Sequence, residues 1–455
     1  MPSSLYPSVR ASWHAPTEGA VLVLAVLGLG ASFGTMLSFI TASKAQIGAD
    51  PFYYAEIVKG PLYYILHAAE ILLLVSAGVL ALSCTNRREM ANGFLGHFVL
   101  FLAAGGLMAV KGYTLEDLFS QKLVDATGPF MCLISVVLFV AVRRSNWPVI
   151  DKAFLVTAAV LSTVTLYEIA GLGTTSRVEA VRCMLPVVNA LFWPASWTAL
   201  RPYPRSSGVR YMRFAPAAVY GLGSLFTEMR LNFVMLFALL FLCAYADRQR
   251  GRWQAPAWLA ALGMTAWLLL FSLVFLAETP AFEKVEGAAE GFYSRLDEDS
   301  RSGQLREFFR SVKPQELLFG RGSFATWRWG RGEWNGGTDV GYLNLLFYGG
   351  VPLLLSYFAV HMAPSLAALR RKPTGLQLTA GGVVLLWAIR MFSSANPGLT
   401  LEYYPILLCV GMCVSRGARE ISAERSCADS ELVLGGCEFE GRFGFCRPQP
   451  TAQRR

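Results

Sequence analysis

Charge is scarce in this sequence. Asp, Glu, Lys and Arg make up 16% of the 455 residues, against about 25% in soluble domains. That shortage excludes an ordinary soluble globule. Cysteine offers no disulfide framework. Of the nine cysteines, Cys132, Cys183, Cys243, Cys409 and Cys413 lie in or beside apolar runs, and Cys427, Cys437 and Cys446 lie in the tail. Their spacing fits no zinc pattern. Cys409 and Cys413 share a helix face, where small packing residues are the simpler account. The common catalytic signatures are missing in their required contexts: no HExxH, Walker loop, GxSxG or Cys-His nucleophile. No internal repeat is visible. No helix-turn-helix or aromatic-basic platform accompanies the net charge of +9, so nucleic acid is excluded as a partner.

What is present is apolar surface. Hydrophobic residues reach 54%, aromatics 13%, and the mean hydropathy is +0.43. Runs long enough to cross about 30 Å of hydrocarbon recur along the chain. Twelve spans are predicted: Ala20–Ile40, Leu62–Ser83, Phe94–Val110, Pro129–Val142, Phe154–Leu172, Val181–Leu200, Phe214–Phe226, Leu231–Ala246, Ala257–Ala277, Val340–His361, Leu376–Phe392 and Leu399–Ser415. The first is too long for a signal-peptide core and reads as an uncleaved helix. Phe214–Ala246 is split at Thr227-Glu228-Met229-Arg230.

Alternate connections carry the basic residues: Arg87-Arg88, Arg143-Arg144, Arg201 to Arg213, Arg248 to Arg252, Arg370-Arg371-Lys372, and Arg416 with Arg419. By the positive-inside rule this side is cytoplasmic, with both termini. The organisation is then a cytoplasmic N-terminal tail (1–19), helices 1–9 (20–277), a large extracytoplasmic loop (278–338), helices 10–12 (339–415) and a polar tail (416–455) expected to be disordered. In the loop, Phe282, Val285, Ala289, Phe292 and Leu296 repeat at helical spacing opposite Glu283, Glu286, Glu290 and Asp297, the pattern of an amphipathic helix. A second helix surrounds Leu305, Phe308, Phe309 and Val312, with Pro314 expected to end it. The loop is a folded cap.

A charge deep in a span costs about 2.5–3.5 kcal/mol on insertion scales, so each asks for a reason. His67 and Glu70, spaced i, i+3, read best as a local pair. The others gather toward the outer ends: Glu168, Arg182, Glu228, Arg230, Arg390, Glu402 beside Tyr403 and Tyr404, and Asp339. Several arginines at one level point to an anionic ligand, because guanidinium binds phosphate bidentately and stays charged. A diphosphate in a lipid-facing pocket fits. Asp339 precedes an apolar run, so it reads as a helix N-cap held ionised by the dipole. The same acid could take a proton from an attacking hydroxyl. Gly320-Arg321-Gly322 reads as a turn more readily than as a phosphate cradle. Asp297-Glu298-Asp299 reads as a solvated face rather than a cation site.

Three stretches, SRSGQLREFF, LLFGRGSFATW and TDVGYLNLLFYGGVPLLLSY, together with the turn TEMRL, resemble the O-antigen ligase and O-antigen polymerase superfamily. The likeness covers roughly residues 223 to 350 and falls on Arg230, Arg306, Gly320 and Gly322. It implies an all-α, polytopic, GT-C-like fold of about twelve membrane helices, with short helices in one large periplasmic loop. It implies a glycosyltransferase of the cell inner membrane with its active face extracytoplasmic. The donor and acceptor would be polyprenyl-diphosphate-linked glycans, with inversion at the sugar carbon leaving the diphosphate. Neither metal nor other cofactor is implied; the bilayer, and other polysaccharide-export proteins, are the remaining partners. Ligases of this family usually carry a His-Asn pair where this chain has Asp339 before Val340, which favours a polymerase. The expected catalytic residues are Asp339, Arg230 and Glu228. The expected substrate-binding residues are Arg182, Arg390, Arg306, Arg321, Glu402 and Tyr342.

Overall fold

Backbone in lipid must close its hydrogen bonds within the segment, and this chain does so almost entirely as helices. The computed structural model describes residues 15–49, 60–112, 130–171, 177–203, 212–227, 230–250, 300–323, 325–329, 332–334, 338, 340–370, 375–392 and 402–416. The expected span Ala257–Ala277, the amphipathic helix around 282–297, Glu228, Asp297-Glu298-Asp299, Asp339 and the tail beyond Arg416 lie outside these residues. Arg182 and Arg230 are described by backbone alone.

In chain order the helices are α1 (Ala15–Ala49), α2 (Pro61–Cys84), α3 (Phe94–Gly112), α4 (Phe130–Ile134), α5 (Trp147–Gly171), α6 (Arg177–Leu200), α7 (Ala215–Phe226) and α8 (Arg230–Gln249). Next come α9 (Ser300–Ser311), α10 (Pro314–Phe319), the antiparallel strands β1 (Trp327–Trp329) and β2 (Gly332–Trp334), α11 (Gly341–Tyr357), α12 (Ala363–Arg370), α13 (Gly375–Arg390) and α14 (Tyr403–Val414). Six helices among the described residues are long and apolar enough to cross a membrane: Gly19–Ala42, Pro61–Cys84, Phe94–Lys111, Arg144–Ala170, Leu231–Gln249 and Gly341–Arg370. The apolar helices over 132–141, 215–226, 375–390 and 403–414 are shorter. The division at Thr227 is present, because α7 ends at Phe226 and α8 begins at Arg230. Pro314 starts α10 rather than ending α9, since proline suits the first turn where its missing N–H costs nothing.

Helix α2 is turned inside out relative to a soluble helix. Leu62, Ile65, Leu72 and Val79 are exposed, while His67 and Glu70 are buried with Leu74, Ala77, Gly78 and Ala81. That is the pattern lipid demands, with polar groups facing the bundle. A 3₁₀ segment, Ser135–Ala141, continues α4 and is buried at every residue. Two glycines grip it: a Cβ at Gly78 would stand 2.5 Å from the Val136 carbonyl oxygen, and one at Gly411 would strike that of Leu138. Its terminal carbonyls are capped by Asn146 Nδ2 on Val140 O (2.7 Å) and Trp147 Nε1 on Ala141 O (2.8 Å).

The basic connections meet at one end of the bundle. Arg201 pairs with Asp151 at 2.7 Å, and Arg213 with Asp247 at 2.7 Å. Arg250 donates to the Gly375 carbonyl at 3.1 Å, and the Arg416 amide to Glu89 O at 2.7 Å. At the opposite end the C-terminus of α3 meets the cap: Lys111 Nζ donates to Phe319 O at 2.7 Å, and Ser323 N to Met108 O at 3.0 Å.

Candidate functional site

The site begins with a broken helix. Gly350 in α11 has φ 72° and ψ −172°, and Pro352 follows. Pro352 has no N–H, so the Tyr348 carbonyl loses its ordinary partner four residues on. The two halves fold against each other. Tyr342 stacks on Phe358 at 5.2 Å, whereas sixteen residues of straight helix would separate them by about 24 Å. The freed carbonyls are satisfied from outside the helix: Arg321 N donates to Phe347 O at 2.8 Å and Gly322 N to Tyr348 O at 2.9 Å. Gly320, also at φ 72°, makes this crossing possible. A Cβ on Gly320 would lie 2.5 Å from Tyr348 O, and one on Gly350 would lie 2.6 Å from Leu318 O. The Gly320-Arg321-Gly322 amides at 321 and 322 are therefore committed to α11 and do not form a phosphate cradle. The Arg321 side chain is engaged within the cap, with Glu316 at 3.2 Å and the Thr326 carbonyl. Arg306 is exposed on α9.

The first half of α11 carries the segment around residue 339. The helix starts at Gly341, and its N-cap is Val340, which makes no side-chain cap bond. The N-cap position thus falls one residue after Asp339, which itself lies outside the described residues. Asn344 reaches back from the first turn to bracket Thr338: its Oδ1 accepts from Thr338 N (2.6 Å) and its Nδ2 donates to Thr338 O (2.7 Å). The segment is lashed to the end of α13: Gly341 N donates to Met391 O at 2.8 Å, and the Tyr342 hydroxyl to Ala388 O at 2.9 Å. Tyr342 is thus anchored by its hydroxyl and packed between Phe358 and Phe392.

Between these contacts sits Arg390, the last residue of α13. Helix α13 rises about 22 Å from Gly375 at the basic end, so Arg390 lies well inside the bundle. Its side chain is 3% exposed and pairs with Glu402, 22% exposed, at 3.3 Å. Its guanidinium stands 5.5 Å from the Trp193 ring of α6. Tyr220 of α7 lies within electrostatic reach of both Arg390 and Glu402. Trp193 Nε1, which is buried, has no hydrogen-bond partner among the described residues. Position 182 falls three turns above Trp193 on the same α6 face by helical repeat.

Glu402, Tyr403 and Tyr404 open α14 and point to three different partners. Glu402 meets Arg390. The Tyr403 hydroxyl donates to His361 Nε2 at 2.7 Å. His361 sits in a π turn, Phe358–Met362, a distortion frequent at functional sites. Its Nδ1 faces the Tyr357 carbonyl at 3.2 Å and so carries the proton. Trp387 Nε1 donates to the Tyr357 hydroxyl at 2.7 Å, which meets Met391 Sδ at 3.1 Å. Tyr404 faces the Glu70 carboxylate, whose Oε2 is bonded to His67 Nδ1 at 2.9 Å. His67 and Glu70 are thus the local pair their spacing implied.

The structure brings Arg390 and Glu402 together and ties Gly341 and Tyr342 to Met391 and Ala388. Sequence reasoning passed over Trp193, Tyr220, Tyr357, His361 and Trp387. The one available signal was His361, an ionisable residue in a membrane segment. Among the described residues no group of His, Cys, Asp and Glu could hold a metal ion. What the arrangement offers is a fixed cation, hydrogen-bond donors and a partly exposed carboxylate beside an aromatic wall. No family model matches the chain, and a search of curated proteins returns no match.

Proposed function

We propose that this protein is a membrane glycosyltransferase that joins polyprenyl-diphosphate-linked oligosaccharide units into a surface or exported polysaccharide. The observation that carries the reading is Arg390: a guanidinium buried inside the bundle, backed by Trp193, paired with a partly exposed Glu402, and next to Met391, which holds the first residue of α11, Gly341. An anion is the ligand such a site favours. The chain would cross the inner membrane twelve times in a GT-C-like arrangement, basic end and both termini in the cytoplasm, with the site opening to the outer leaflet.

In the reaction, Asp339 takes the proton of the acceptor hydroxyl as its oxygen attacks the donor's anomeric carbon. The carbon–oxygen bond to the diphosphate breaks, and the electron pair leaves with polyprenyl diphosphate. Arg390 stabilises the charge that develops there, aided by Arg182 and Arg230. Diphosphate leaves readily, so no separate acid is required. Glu402 holds Arg390 in direction, and Glu228, two residues before Arg230 in the sequence, completes the expected catalytic set.

Deleting the gene tests the reading. A polymerase mutant accumulates single lipid-linked repeat units. Accumulation of finished lipid-linked polymer would assign the chain to a ligase instead. A second reading, transport of a lipid-linked sugar, draws on the broken helix α11 and the buried His67–Glu70 pair, since such features also line transport pathways. A transporter would form no glycosidic bond when purified protein meets donor and acceptor on one side of a bilayer.

A further inference from the structure

We infer that Gly320 is a positioning residue for the proposed transfer: it lets the outer loop cross the break in α11 and so sets how deep the first half of α11 presents Gly341 and Tyr342 beside the end of α13 that carries Arg390. The inference rests on the proposed function above, but its geometry stands independently.

Four contacts fix the strap 318–323. Two run to the end of α3, from Lys111 Nζ to Phe319 O and from Ser323 N to Met108 O. Two run to the broken helix, from Arg321 N to Phe347 O and from Gly322 N to Tyr348 O. The strap therefore ties the tip of the α11 hairpin to a neighbouring helix. The other end of that half-helix is tied to α13 through Gly341 and Tyr342. A rigid helical turn or two joins the ends, so a displacement at the tip is carried to Gly341 and Tyr342. Nothing soft absorbs it: Phe347 is fully buried and packs on Phe308 of α9 at 5.4 Å. The crossing tolerates no side chain at 320, because the neighbours within 2.5–2.7 Å are the backbone atoms of Tyr348, Gly349 and Gly350. A methyl group there must push the strap off the helix. Misplacing a reacting group by about 1 Å costs about a hundredfold in rate.

The test uses the full-length protein in lipid nanodiscs with two readouts. Hydrogen–deuterium exchange follows the amides of Arg321 and Gly322, and a transfer assay with lipid-linked repeat units gives kcat and donor KM. In the unaltered protein both amides exchange slowly. Gly320→Ala frees them and lowers kcat by about a hundredfold while donor KM holds, because the diphosphate contacts at Arg390 are untouched. Pro352→Ala is the milder variant, since it restores an N–H that competes for Tyr348 O. It speeds exchange at Gly322 more than at Arg321 and lowers kcat by a smaller factor. Rapid exchange of both amides in the unaltered protein would overturn the strap. Freed amides with unchanged kcat in either variant would leave the strap standing and overturn its positioning role. Absence of any transfer by the unaltered protein, with both amides protected, would reject the proposed function and with it the role of Gly320.

Discussion

Arg390 is held in a place where a guanidinium is costly, and the cost is met by named neighbours. Trp193 gives it an aromatic face, Glu402 a counter-charge, and the surrounding helices exclude water. Replacing it with Ala leaves Glu402 without this counter-ion. Because Glu402 is 22% exposed, water recovers part of the loss, and the expected destabilisation is about 1–3 kcal/mol. Thermal unfolding of the detergent-solubilised variant measures it. Arg390→Lys keeps the charge but gives up the planar stack, so it should restore stability more than transfer activity. One layer away, the Tyr403–His361 hydrogen bond is closed to water at both ends. A double-mutant cycle with Tyr403→Phe and His361→Phe should return a coupling of about 0.6–1.7 kcal/mol, the range for such bonds between membrane helices. Arg390 and Glu402 were legible in the sequence because charge inside an apolar run stands out. Trp193, Tyr357 and Trp387 were not, because an aromatic in such a run reads as core whatever it touches. The N-cap falls at Val340, one residue after Asp339, and the backward reach of Asn344 to Thr338 is a contact that local spacing does not announce.

The elements repeat that lesson one level up. The run LLFYGGVPLLLSY falls inside one expected span, Val340–His361, although it holds the helix breakers Gly349, Gly350 and Pro352. In lipid they are tolerated only where another part of the chain satisfies the carbonyls they free. Here that part is the Gly320–Gly322 strap, too far along the chain for local pattern to join the two. The 3₁₀ segment Ser135–Ala141 was equally hidden. Its apolar run predicts a helix, but the tighter winding comes from the close approach of Gly78 and Gly411 and from the caps at Asn146 and Trp147. Gly411→Val should force this segment aside and destabilise the protein by about 1–3 kcal/mol or more. A drop in melting temperature, with a smaller drop for Gly411→Ala, checks it. Equal tolerance of both substitutions would mean the two backbones are not in contact.

At the scale of the molecule, hydropathy placed α7 closely, Phe214–Phe226 expected against Ala215–Phe226, and overran α14, Leu399–Ser415 expected against Tyr403–Val414. Helices α7 and α14 have 12 residues each, rising about 18 Å, short of the roughly 20 residues a bilayer asks of a spanning helix. Hydropathy cannot tell a full crossing from a partial one whose ends are buried in protein. Charge did better: the basic connections share one end of the bundle, joined by Arg201–Asp151, Arg250–Gly375 and Arg416–Glu89. If that end is cytoplasmic, Arg248→Cys should react with a membrane-impermeant maleimide only after permeabilisation, and Glu307→Cys on α9 should react in intact cells. The opposite labelling would invert the orientation. The most direct test of the whole account is chain growth by purified protein given a polyprenyl-diphosphate-linked repeat unit. The account predicts longer lipid-linked glycans with release of polyprenyl diphosphate, lost in Asp339→Asn and in Arg390→Ala while both variants stay folded. Full chain growth by those two variants would contradict it.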